Sequence, residues 1–141
     1  MEVRPARDAA ELRQALDLRD RVFCGEQGVS QAAERDGRDG EALHLVAVDH
    51  ARVLGTCRLV FGAQSAFLGR LAVESGERRR GIAAALLREA TESARTAGVE
   101  RIGLHAQFDV RELYAAAGYE ERGEPFVEEG IDHVTMEKAL A

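Results

Sequence analysis

Phe67-Leu68-Gly69-Arg70-Leu71-Ala72-Val73, followed by Glu74 to Glu77 and then Arg78-Arg79-Arg80-Gly81-Ile82-Ala83, is the stretch on which the reading of this chain turns. An apolar strand runs into a charged loop, and the loop opens directly into a helix beginning near Gly81. The first turn of a helix leaves backbone N–H groups without partners and carries the positive end of the dipole, so it favours an anion. Gly81 has no side chain to keep a phosphate away from those donors, Ala83 is nearly as small, and three arginines add positive charge. The stretch therefore reads as a phosphate or pyrophosphate site that requires no metal. It is neither a Walker loop, since no Gly-Lys-Ser/Thr follows, nor a dinucleotide fingerprint, since two of the three glycines are missing. The competing reading is an ordinary charged helix start facing solvent.

The elements on either side give the architecture. Downstream, Ile82, Leu86, Ala90 and Ala94 recur at helical spacing, with Gly98 placed to cap the C-terminus. Val99 to Ala106 reads as a strand, Asp109 to Ala117 as a short helix stopped by Gly118, and Tyr119 to Arg122 and Asp132 to Lys138 as strands. Upstream, Leu43 to Asp49 and Val53 to Gly62 flank a tight turn at His50-Ala51 and form a hairpin leading into Phe67 to Val73. Met1 to Pro5 is a short strand. Asp8 with Glu11 makes a capping box for a helix whose apolar face is Leu12, Leu16, Val22 and Phe23, broken by Gly25 and Gly28. Glu26 to Glu41 is polar and reads as a loop with one short helical turn. The order is strand, helix, three antiparallel strands, helix, strand, helix, two strands: a mixed α/β (α+β) fold in one domain spanning residues 1–141.

Composition narrows the function. A chain of 141 residues with 45% hydrophobic and 31% charged residues has what a folded core needs. A net charge of −6 with no Trp, two Tyr and five Phe argues against a nucleic-acid partner. No apolar run approaches the ~20 residues that span a bilayer, and Met1 to Pro5 lacks the apolar core of a secretory signal. Cys24 and Cys57 make neither a metal-ligand spacing nor a disulfide framework. A cytoplasmic protein without a metal fits these features.

Leu71-Ala72-Val73, R-x-x-G-x-A at Arg78 to Ala83, and the long helix behind them resemble the acetyl-CoA motif of the GNAT acetyltransferase superfamily. His105-Ala106-Gln107 followed by Leu113-Tyr114-Ala115-Ala116-Ala117-Gly118-Tyr119 resembles that family's terminal Tyr-x-x-x-Gly-Tyr/Phe segment. Arg21-Val22-Phe23 to Glu26-Gln27, the acids Glu34, Asp36 and Asp39, and Glu129-Gly130-Ile131-Asp132-His133 resemble its small ElaA-like branch. The resemblance covers the entire order of elements. It implies a central mixed, mostly antiparallel sheet of about six to seven strands flanked by about four helices.

It also implies roles. Backbone N–H groups from Arg79 through Arg80, Gly81, Ile82, Ala83 and Ala84 would hold a CoA pyrophosphate, and one of Arg78, Arg79 or Arg80 would reach the 3′-phosphate. Leu71, Ala72 and Val73 would pair with pantetheine as an added strand and offer an N–H to the thioester carbonyl. Gln107 stands where many members carry an Asn that contacts pantetheine. Tyr114 would supply a proton to the departing thiolate; the alternative is a core aromatic. An amine must be neutral to attack, and the candidate bases, in order, are Glu26, His133 and His105, the last more readily a structural residue of an apolar strand. Acetyl-CoA would be the co-substrate, a primary amine the acceptor, and a homodimer the assembly.

The acids Glu34, Asp36, Asp39 and Glu41 read first as a solvated loop; lining an acceptor cleft they would attract a cation, and opposed by Arg19, Arg21 and Arg58 they would be structural. Other functions compatible with the sequence are a non-catalytic CoA-binding sensor and an acyltransferase using a longer acyl-CoA or an acyl carrier, because Arg21 to Asp39 faintly resembles acyl-homoserine-lactone synthases.

Overall fold

In a computed structural model describing residues 1–140, seven strands form one sheet in the order β1-β2-β3-β4-β5-β7-β6. The strands are β1 (Glu2–Pro5), β2 (Leu43–Asp49), β3 (Arg52–Phe61), β4 (Ser65–Val73), β5 (Arg101–Gln107), β6 (Glu120–Glu128) and β7 (Ile131–Ala139). The helices are α1 (Ala9–Arg19), α2 (Gln31–Glu34), α3 (Ile82–Ala97) and α4 (Arg111–Ala116). Every neighbouring pair is antiparallel except β4 with β5, which is parallel because α3 carries the chain back across the sheet. This is the mixed sheet and helix complement expected from the sequence.

Local signals account for most of it. His50 and Ala51 both have positive φ (49° and 64°), as a two-residue hairpin turn that follows the strand twist requires. Asp8 accepts from the Glu11 N–H at 2.9 Å, while the Glu11 carboxylate reaches back to the Arg7 N–H at 2.9 Å and grips Arg4. Ile82, Leu86, Ala90 and Ala94 are all buried, and Gly98 (φ 81°) closes α3.

Two departures concern the first helix. Its buried face is Ala15, Leu18, Arg19 and Val22, with Leu12 and Leu16 only half-buried, because Arg19 enters the interior as an ion-pair partner that apolar periodicity cannot register. Gly25 does not break the helix either. The chain widens into a π-helical stretch from Asp20 to Glu26, with Gln27 N–H bonded to the Val22 carbonyl at 3.1 Å, and the break comes at Gly28 (φ 72°).

The sheet has a core on each face. Leu45, Leu59, Leu68, Ile102 and Leu104 pack against Leu86, Leu87 and Ala90 of α3, while Val46, Val48, Val53 and Ala72 pack against Ala15, Leu18 and Val22. Helix α3 lies so close that a Cβ on Gly55 of β3 would stand 2.7 Å from Ile82 Cγ2 and 3.1 Å from Leu86 Cδ1. Gly55→Ala is expected to cost about 1–3 kcal/mol through this overpacking, read as a lower urea midpoint at unchanged slope.

Candidate active site

Strands β4 and β5 part company midway. Their parallel ladder ends at Leu68 and Leu104, so from Gly69 to Val73 strand β4 keeps β3 on one edge and has no ladder partner on the other among the described residues. A bulge lies at the parting point: Arg70 and Leu71 together oppose the single Cys57 of β3. Arg70 takes φ 55° there, strained for a residue with a side chain, and its guanidinium is tied to the Ala33 and Glu34 carbonyls at 3.3 and 3.0 Å. A strand edge with free backbone groups bordering a split in a sheet can pair with an extended ligand.

The mouth of the split holds the loop and helix start singled out in the sequence. The backbone is left-handed at Arg79 (φ 67°) and again at Gly81 (φ 79°), the N-cap of α3, and no side chain caps the N–H groups that follow. The Arg78 side chain donates to the Val73 carbonyl at 3.1 Å, pinning this loop to the end of β4.

A cavity of about 830 Å³ runs from this mouth into the split. Strand alternation gives it two sides. Leu104, Leu113 and Tyr114 border it from the face that α3 covers, and His105, Gln107 and His133 border it from the face that α1 covers. A ligand entering at Gly81 can thus meet a second one approaching from the opposite face.

The Acetyltransferase (GNAT) domain family matches residues 7–140. The chain belongs to the GNAT acetyltransferase family. A Lactobacillus plantarum protein assigned as an N-acetyltransferase is 26% identical, with a TM-score of 0.91 and 99% of this chain and 98% of that one covered. Escherichia coli ElaA shares the fold at 20% identity, with a TM-score of 0.85 and 98% and 99% covered. An aminoglycoside 6′-N-acetyltransferase, solved complexed with coenzyme A, has the same fold at 18% identity, with a TM-score of 0.80 and 100% and 98% covered.

In this GNAT acyltransferase the residues singled out in the sequence converge on the cavity: Leu71, Ala72, Val73, Arg78, Arg79, Gly81, Ile82, Ala83, Ala84, Gln107, Tyr114, Glu26 and His133 all line it. Arg80 points elsewhere, pairing with Glu77 one turn away. Tyr114 is buried in the core, its ring edge-on to Tyr119 with centroids 6.2 Å apart, and burial raises its phenol above the ordinary value. Glu26 is bound to Arg78 at 2.9 Å, and beside it Gln27 accepts from Gln107 at 2.8 Å, so the π-helical stretch is tied across the groove at two points.

His133 is buried, with Nδ1 2.7 Å from the Ile131 carbonyl. A carbonyl only accepts, so Nδ1 carries a proton, and in the neutral ring Nε2 holds the free lone pair. His105, the last of the candidate bases and read more readily as a structural residue, faces the cavity with Nδ1 3.3 Å from Glu128 Oε2. Three residues that sequence reasoning passed over also matter here: Arg70, Phe67 and Glu128. An arginine inside the apolar run of β4 was the available signal for the first; Glu128 offers none.

Glu34, Asp36 and Asp39 belong to an ion-pair network and not to a solvated loop, whereas Glu41, paired with Arg38, is exposed as read from the sequence. Arg19, Arg35, Arg58 and Arg70 stand against Asp20, Glu34, Asp36 and Asp39, four charges against four, in one connected network. Arg19 and Glu34 are each 1% exposed. Hydrogen bonds from Arg58 hold the Asp36 carboxyl well below the usual range; for Asp39, burial pulls upward but is outweighed by Arg19 and Arg58. Arg21 is not a member; it pairs with Glu74 at 2.7 Å. Cys57 is fully buried, which pushes its thiol up to about 12. Among the described residues, no helix is long and apolar enough to cross a membrane, and no three His, Cys, Asp or Glu side chains are grouped to hold a metal ion.

Proposed function

We propose that this chain, as one domain, transfers an acetyl group from acetyl-CoA directly to a primary amine, with both substrates bound together. The observation that carries the reading is the split of β4 from β5 beside the uncapped start of α3: a free strand edge and an uncapped helix N-terminus joined by one cavity lined from both faces of the sheet. Solved structures of this fold with coenzyme A bound support the choice of ligand.

The residues present fit such a ligand. N–H groups from Arg79 to Ala84 face an anion at the α3 N-terminus, and the open edge of Leu71 to Val73 can pair with an extended amide-bearing arm. Bound there, acetyl-CoA supplies an activated thioester. A fixed backbone N–H of β4 favours the negative charge that builds on a carbonyl oxygen during attack. Of the three loop arginines, Arg78 and Arg79 line the cavity and are the candidates for a terminal phosphate.

On the opposite face His133 is the favoured base. Its Nε2 accepts a proton from the arriving ammonium while Ile131 holds the ring in place. Glu26, with its carboxylate bound to Arg78, serves better as a tie across the groove. Tyr114 acts as a hydrogen-bond donor to the leaving sulfur. Burial keeps the phenol protonated, and full transfer to a thiolate with pKa ~8.5 is uphill, so the tyrosine steadies the thiolate until a proton arrives. In the balance of the transfer, a C–N bond replaces a C–S bond. One nitrogen proton goes to His133 on activation, and a second offsets the proton gained by sulfur.

The test is release of free thiol from acetyl-CoA by a panel of primary amines. Tyr114→Phe is expected to lower kcat about 10- to 100-fold with the KM for acetyl-CoA unchanged, and to fold normally, since no hydrogen bond within the protein is lost. Thiol release at the wild-type rate by this variant would remove Tyr114 from the mechanism.

A further inference from the structure

Four rings stand in a row on the side of the sheet opposite Tyr114, and three of them, Phe67, His105 and His133, line the cavity. Phe67 and His105 meet edge to face with centroids 5.0 Å apart, His105 and Phe126 likewise at 4.9 Å, and Phe126 stacks on His133 at 5.9 Å and 23°. Phe67 is 41% exposed although it sits mid-strand in β4, so its ring contributes little to the core and presents a face to the cavity. Beside this row lies Glu128, the last residue of β6, with Oε2 3.3 Å from His105 Nδ1 and 3.9 Å from His133 Nε2.

Among the described residues two lining carboxylates, Glu128 and Glu129, are paired with no arginine or lysine, and of these Glu128 stands against the imidazoles. Glu34 and Asp36 also line the cavity, but the arginine network neutralises them; Glu26 is matched by Arg78 and Glu77 by Arg80. Among the described residues Glu128 has imidazoles within 4.0 Å and neither a lysine nor an arginine. A carboxylate without a fixed cation, set against aromatic faces, suits a ligand that brings its own cation on an apolar stem: the ammonium meets the carboxylate and the ring faces, and the methylenes lie along the rings. A polyhydroxylated amine lacks that flexible stem, and its outward hydroxyls need polar partners that the rings do not supply.

We propose that Glu128, with the Phe67 and His105 rings, is the acceptor-binding site, and that it selects primary alkylammonium groups on apolar stems over amino sugars. This rests on the acetyl-transfer reading above. Both a free alkylamine and a lysine side chain carry the required chemistry.

The experiment compares 2-phenylethylamine, Nα-acetyl-lysine methylamide and glucosamine in thiol release at saturating acetyl-CoA, with wild type, Glu128→Gln and Phe67→Ser. Both changes are at exposed positions, and thermal melts check that the variants fold. The expected result is a kcat/KM for at least one apolar-stem amine about tenfold or more above glucosamine, with the better of the two naming the source. Glu128→Gln raises the KM for that amine about tenfold or more while the KM for acetyl-CoA stays put, and Phe67→Ser erodes the preference over glucosamine. Glucosamine turned over as well as both others, or an amine KM indifferent to Glu128→Gln, overturns the proposal. A parallel titration follows the His105 and His133 imidazole NMR signals as 2-phenylethylammonium and Nα-acetyl-lysine methylamide are added. Shifts lost in Glu128→Gln uphold the acceptor site even where no thiol is released, an outcome that would count against acetyl transfer instead; failure of both amines to shift the signals overturns the site.

Discussion

Wild-type protein is expected to bind acetyl-CoA saturably in calorimetry, and Arg80→Glu combined with Gly81→Asp is expected to abolish that binding. The site is a set of N–H donors at the start of α3 that no side chain caps, reached past a residue with no Cβ at φ 79°. An aspartate there puts a carboxylate where a phosphate must come, and it occupies the same donors. The Arg80 change adds a second negative charge beside Glu77. A loss of about 100-fold or more, roughly 3 kcal/mol, is expected from charge reversal and blocked donors together. The fold should survive, because Ile82, Leu86, Leu87, Ala90 and Ala94 anchor α3 independently of its cap, and the strain of a side chain at positive φ costs about 1–3 kcal/mol. Affinity within threefold of wild type would show that the anion nest is not the cofactor site, and the proposed function would fall with it.

Arg19→Met is expected to be the most destabilising single change outside the apolar core. It leaves Glu34, 1% exposed, with Arg35 and the more distant Arg70 but without the guanidinium that shares its interior position, and it takes from Asp39 one of its two arginines. Breaking a buried pair by removing one partner costs about 3–5 kcal/mol, a large share of the roughly 5–15 kcal/mol that holds a domain of this size together. Urea denaturation at unchanged slope measures it; a loss below about 1 kcal/mol would mean that water enters and replaces the arginine.

The network also sets an acid limit. Asp36 and Asp39 both titrate below their unfolded values in the folded protein. Their contribution is therefore fully present above the unfolded carboxyl range of ~4 and is lost as pH falls from there through the folded values.

The network shows where sequence reading ran short. Glu34, Asp36 and Asp39 fall in a stretch rich in glycine and charge, which looks solvated when only neighbours along the chain are considered. Apart from Arg35 beside Glu34, their partners are Arg19, Arg58 and Arg70, 15 to 36 residues away, brought in by the helix ahead of them and the strands behind them. His105 illustrates a different gap. Alternation along β5 puts it on the face opposite Leu104 and Ala106, but only the parting of β4 from β5, together with Glu128 arriving on β6, turns that face into a cavity wall. The start of α3 at Gly81, by contrast, was legible because everything it needs lies within a few residues: a glycine, small residues behind it, and a helix whose start is fixed by its own apolar spacing.

What the sequence determined by itself is thus local in origin. The left-handed caps at Gly81 and Gly98, the hairpin turn at His50-Ala51, the buried stripe of α3 and the order of elements follow from backbone freedom and side-chain periodicity, which act over one or two turns of chain. Tertiary structure alone decided that β7 inserts between β5 and β6, that β4 bulges at Arg70 and leaves its far edge open, that Arg19 lies inside while Arg21 does not, and that Glu128 meets two imidazoles. The physical reason is that each of these depends on which distant group fills an edge, a charge or a cavity, and such partners are chosen by packing of the complete sheet.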